Sequence, residues 1–205
     1  MDTLLYQILG IIKNVKEDEE KLQITLDFLE DNISVDESDY SAVDELPDKY
    51  KSIVNEIAQC IDMGMICYLN LETDEIDSIP QGIFNEIDML DEPEDIKQEL
   101  IDIYGSDDIK FLDWENPIEF EPLPPFESFR IMENYVQTLP DDEKTRPKLI
   151  NALRNRKPFA NFGRIINNSY LRNEWFKFKQ QWLDNLVAGQ LLVELDKLKE
   201  NNNDI

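Results

Sequence analysis

Nine cationic side chains stand within residues 146–182 (Arg146, Lys148, Arg154, Arg156, Lys157, Arg164, Arg172, Lys177 and Lys179), against a single acid, Glu174. Their densest run is Arg154-Asn-Arg-Lys-Pro-Phe-Ala-Asn-Phe-Gly-Arg164. Guanidinium and ammonium groups beside the free N–H groups of a helix start can hold a phosphate or a carboxylate. Arg154, Arg156, Lys157, Asn161 and Arg164 are therefore the candidate anion or partner contacts. A competing reading makes Phe159 and Phe162 core side chains and docks the cations onto acidic helices of the same molecule. Charge favours that second reading. Residues 1–145 hold 39 acids and 9 bases, a net charge of −30, whereas residues 146–205 hold 6 acids and 11 bases, a net charge of +5.

Other chemistries are poorly served. The 205 residues include 45 acids, 20 bases and no histidine, for a net charge of −25. Without an imidazole, neither a Ser-His-Asp nor a Cys-His nucleophile can be activated. Zinc sites that use histidine are excluded with them, and two cysteines, Cys60 and Cys67, cannot make a four-thiolate site. The cysteines read as small apolar groups, not as a disulfide framework. Six scattered glycines form neither a dinucleotide turn nor a phosphate cradle. Asp36, Glu37, Asp39, Asp44 and Glu45 lack the alternation and central Gly of a calcium loop, so a solvated loop is the better reading. No carboxylate pair among the 45 acids is singled out by spacing for general acid–base work. The sequence thus points to no catalytic residue, metal or cofactor.

Several elements must position these residues. Leu4, Leu5, Ile8, Ile12 and Val15 recur at helical spacing, as do Leu22, Leu26, Leu29 and Ile33. Residues 34–48 read as an acidic loop, and Tyr50, Ile53, Val54, Ile57, Ala58 and Ile61 mark a third amphipathic helix. From Met65 the period becomes two, which predicts a β-hairpin over Cys67–Ile79 with its turn at Thr73-Asp74. Ile109–Leu112 and Ile118–Phe120 are candidate further strands. Helices are expected from Pro93, through Phe129–Leu139, after Thr145, from Pro158, and after a Ser169 cap. In the last of these Trp175, Phe178, Trp182 and Leu186 recur at core spacing, which argues against a base-stacking platform. The fold class is α+β, helix-rich, with a small antiparallel hairpin or sheet in the middle and a C-terminal helical bundle. The organisation expected is an acidic helical region over 1–62, an α+β core over 63–200 and a frayed tail over 201–205.

Four stretches resemble an uncharacterised bacterial family, number 0158 of the UPF series. They are Tyr68-Leu-Asn-Leu-Glu-Thr-Asp-Glu-Ile76, Arg130-Ile-Met-Glu-Asn-Tyr135, Arg156-Lys-Pro-Phe-Ala-Asn-Phe162 and Trp175-Phe-Lys-Phe-Lys179. Order and spacing agree over roughly residues 65–190. The family places Gly where this chain has Asp74, Asn155 and Lys157, and Ala where it has Pro158. Ala160, Asn161 and Gly163 replace the family's Arg, Arg and Lys. The resemblance implies no activity.

The expected function is that of a non-enzymatic, cytoplasmic protein-binding or regulatory protein. Its partner is another protein, met through the basic junction, the acidic face, or both. One alternative is a nucleic-acid binder using the patch at 146–179, which the net negative field opposes. Another is an enzyme using carboxylates and a metal. The start Met-Asp-Thr lacks a basic signal region, and Thr3–Ile12 falls short of the roughly 20 residues that cross a bilayer, so no membrane contact is expected. Oligomeric state is left open.

Overall fold

A computed structural model describes residue 21 and residues 41–83, 93–105 and 109–203. The chain divides into two units, Met1–Ser41 and Ala42–Ile205. The two N-terminal helices expected from the sequence, and most of the acidic loop, lie outside the described residues. Nearly all the described residues belong to the second unit.

Where a structureless acidic loop was expected, Ala42–Glu45 forms a short helix, α1, because Ala42 and Leu46 turn into the core. Helix α2, Asp48–Asp62, buries the apolar stripe read from the sequence, from Tyr50 to Ile61. It belongs to the second unit and packs on the sheet and the last helix, although the sequence reading ended its N-terminal region at residue 62.

Strands β1, Met65–Asn70, and β2, Glu75–Pro80, form the expected hairpin. Asp74 in its turn has φ 57°, a left-handed backbone that Asp tolerates better than most residues. Lys49 of α2 reaches this turn and pairs with Asp74 at 3.1 Å. Strand β3, Ile118–Phe120, adds to the other edge of β1, so the antiparallel order is β2-β1-β3. The central strand is covered on both faces. Cys67 and Leu69 enter the main core, while Ile66 and Tyr68 join Ile79, Leu100, Ile109 and Phe111 in a smaller one.

Residues 109–112 do not form the strand expected of them. Phe111–Asp113 is a turn of 3-10 helix. The Asp77 carboxylate accepts the N–H groups of Lys110 at 2.7 Å and Phe111 at 3.0 Å, which a strand partner would otherwise take. Phe111 then stacks on Tyr68 with ring centres 3.9 Å apart. Helix α3, Pro93–Tyr104, precedes this segment and buries Leu100.

The C-terminal half is helical throughout: α4 Pro125–Thr138, α5 Arg146–Arg154, α6 Pro158–Asn167 and α7 Arg172–Asn203. Pro stands in the first turn of α4, α5 and α6, where its missing N–H has no helical partner to lose. Ser169 does not cap α7. Its hydroxyl donates to the Ile166 carbonyl and closes α6 instead. Helix α7 continues through Asn203, into the stretch expected to fray. It contacts α1, α2, α4, α6 and β3, so its apolar residues are spread around the helix instead of lying on one stripe. Trp175 and Leu183 are buried, whereas Leu186, expected in the core, is 39% exposed. Among the described residues no charged side chain is buried, and no helix is long and apolar enough to cross a membrane.

Candidate functional site

The α5–α6 junction is built by a tight turn between two short helices packed on each other. Leu149 and Ala152 bury one face of α5, and Phe162 and Ile166 bury one face of α6. Between them the chain must reverse in three residues, 155–157. Asn155 begins the reversal, its N–H reaching the Ala152 carbonyl and its amide donating to the Asn151 carbonyl at 2.7 Å. Lys157 completes it with φ 60° and ψ 56°, and Pro158 opens α6. Lys157 thus takes a left-handed backbone, which Gly alone adopts without penalty.

Asn161 holds this turn together. Its side-chain amide donates to the Arg156 carbonyl at 2.8 Å, its N–H reaches the Lys157 carbonyl, and its oxygen accepts from Arg164 at 3.4 Å. Its polar groups are occupied by the turn. Among the five candidate contacts, Asn161 therefore shapes the junction and Arg164 leans on it. Arg154, Arg156 and Lys157 are exposed. Among the described residues they form no ion pair and no side-chain hydrogen bond.

The structure meets the expectation of internal neutralisation at two of the nine cations. Arg146 pairs with Asp141 and donates to the Val136 carbonyl, and Lys179 pairs with Asp62. Arg172 lies over the Phe176 ring, 4.9 Å from its centre. Elsewhere among the described residues these cations do not dock onto acidic helices. The acidic N-terminal helices expected from the sequence lie outside the described residues. Phe159 also departs from expectation. It is 45% exposed, touching Phe129 edge-on at 6.3 Å, while Phe162 is buried against Trp175.

Two hydrogen bonds brace the surroundings. The Tyr170 hydroxyl donates to the Glu143 carboxylate, which also accepts the Thr145 N–H at 2.8 Å. Both bonds, Tyr170's foremost, hold the Glu143 carboxyl below its ordinary value. Tyr135 points its hydroxyl at the Leu171 carbonyl at 3.5 Å, and its ring lies 5.2 Å from that of Trp175.

Beside Phe159 lies a feature that sequence reasoning missed, a cavity of about 280 Å³. Its walls come from α2, α4, α6 and α7 and include Ile131, Met132, Trp175 and Leu183, with the Lys179–Asp62 pair at its edge. No spacing rule finds it, because segments distant in sequence contribute to it. A wider groove of about 700 Å³ lies between β3, the Pro-rich segment 121–124 and α7. It gathers Glu119, Glu121 and Glu127, part of the expected acidic face. Burial and the neighbouring Glu121 push the Glu119 carboxyl above its ordinary value, although the Tyr68 hydroxyl opposes the shift. Burial likewise pushes the Cys67 thiol up, with Cys60 adding to the effect. Among the described residues no group of three or more Cys, Asp or Glu is placed to hold a metal ion.

No curated protein and no solved structure matches the chain. The uncharacterised protein family UPF0158 does match, over residues 48–194, from the first residue of α2 to the later turns of α7, and the chain belongs to that family.

Proposed function

We infer that this is a non-enzymatic binding or regulatory protein that engages the acidic surface of a partner protein through the α5–α6 junction. One observation carries the reading. In a chain with 45 acids, Arg154, Arg156 and Lys157 stand exposed with no carboxylate partner among the described residues. Three cations held on a short, hydrogen-bonded turn are preorganised for an anion, and their complementarity supplies steering and partner choice. The missing histidine supports binding over catalysis. The cytoplasm is the compartment that goes with this reading.

The test is affinity capture from the native cell with the wild-type chain and with Arg154→Ser/Arg156→Ser/Lys157→Gly. A partner captured by the first and lost from the second supports the reading. Identical capture by both sinks it. Exposed Phe159, Tyr170 and Phe176 among the cations favour a second reading, a nucleic-acid surface. A gel shift with mixed RNA and DNA at low salt that retards neither strand type eliminates that alternative.

A further inference from the structure

The cavity beside the basic junction is open at one side and has an apolar floor beneath a partly polar wall. Among the polar side chains of its walls, Asp62 and Lys179 are bound to each other, beside Gln81, Ser128 and the indole N–H of Trp175. At about 30 Å³ per molecule, 280 Å³ would hold roughly nine waters, some of them against the apolar floor. Such water is readily displaced by an apolar group. The volume sits at the lower edge of the range for small-molecule sites, yet it accepts one large side chain with room to spare. Trp175, Leu183, Ile131 and Met132 supply a rigid apolar floor, each 8% exposed or less.

Its rim is the half-exposed Phe159, two residues beyond Lys157 and three beyond Arg156. The cavity and the cations that have no partner among the described residues are thus joined through the first turn of α6. Binding energy at protein interfaces concentrates where one aromatic or aliphatic anchor fills a desolvated pocket and charged groups surround it. We propose that this cavity is the anchor pocket of the junction. It receives a single aromatic side chain from an acidic segment of the partner, whose carboxylates meet Arg154, Arg156 and Lys157. This rests on the partner-binding reading above and adds to it the chemistry of the bound segment.

The test uses the full chain and two fluorescein-labelled dodecapeptides of Asp and Glu, one with a central Phe and one with Ser in its place, read by fluorescence anisotropy. Wild type binds the Phe peptide at least tenfold tighter than the Ser peptide. Ser128→Leu, which fills the cavity from α4 with a good helix former, brings the two affinities together while circular dichroism stays unchanged. Arg156→Ser/Lys157→Gly weakens both peptides and preserves their ratio. Equal binding of the two peptides by wild type overturns the pocket and leaves the basic junction standing. Binding of neither peptide overturns both. A single-stranded oligonucleotide that displaces the Phe peptide at lower concentration than the unlabelled peptide does would also overturn the proposal, in favour of a nucleic-acid ligand.

Discussion

Single residues in this protein record where the backbone has to bend. Asp74 and Lys157 both occupy the left-handed region, with φ of 57° and 60°. Asp tolerates that conformation through its short polar side chain, whereas Lys has no such compensation. Lys157→Gly should therefore raise stability by about 0.5–1 kcal/mol, the relief of strain outweighing the added freedom of the unfolded chain. Urea denaturation reads this as a higher midpoint at unchanged slope, and a lower midpoint contradicts it. The same substitution removes one cation of the α5–α6 junction. Glu119 gives a pH prediction. Burial and Glu121 raise its carboxyl in the folded state above the ordinary value of 4.5. Its favourable contribution is thus complete below that value and is lost as pH rises through the folded one. Glu119→Gln keeps the shape and does not titrate. Its melting temperature relative to wild type should rise between about pH 4 and the point where Glu119 is ionised, then stay level. A difference that shrinks over that interval refutes the assignment.

At the scale of elements, periodicity located what local physics decides. The stripe of α2, the alternation of β1 and the Pro-opened helices were all legible, since one apolar face or one missing N–H suffices to specify them. Residues 109–112 were not, because a carboxylate 33 positions away takes their N–H groups. Ser169 misled for a similar reason. Its hydroxyl donates to the carbonyl of Ile166 at the end of α6, a partner that helix-start rules do not consider. Asp77 can be tested directly. Asp77→Ala leaves the N–H groups of Lys110, Phe111 and Ser78 without their acceptor. By analogy with a lost helix cap the expected loss is about 1–2 kcal/mol, measured by urea denaturation. A loss near zero would mean that the Tyr68–Phe111 stack alone holds the segment.

For the molecule as a whole, charge dominates. A net charge of −25, with no charged group buried among the described residues, means that self-repulsion acts mainly through solvent. Screening that repulsion should raise the melting temperature steadily from about 10 mM to 150 mM salt, as the Debye length falls from roughly 30 Å to 8 Å. A monotonic fall over that range would show that the few surface ion pairs outweigh the net field. The family match starts at Asp48, earlier than the recognisable motifs near residue 65, because α2 packs against β1 and α7 and so belongs to the same folded unit.

Composition alone ruled out histidine chemistry, and the charge asymmetry alone pointed to residues 146–182, since neither depends on how the chain is arranged. Local patterning was enough for the helices, the hairpin and the turn at Asp74. Whether the cations would find internal carboxylates depended on distances between segments far apart in sequence, and Arg154, Arg156 and Lys157 are exposed with no carboxylate partner among the described residues. The cavity beside Phe159 depends in the same way on how α2, α4, α6 and α7 come together, which no spacing within one segment encodes.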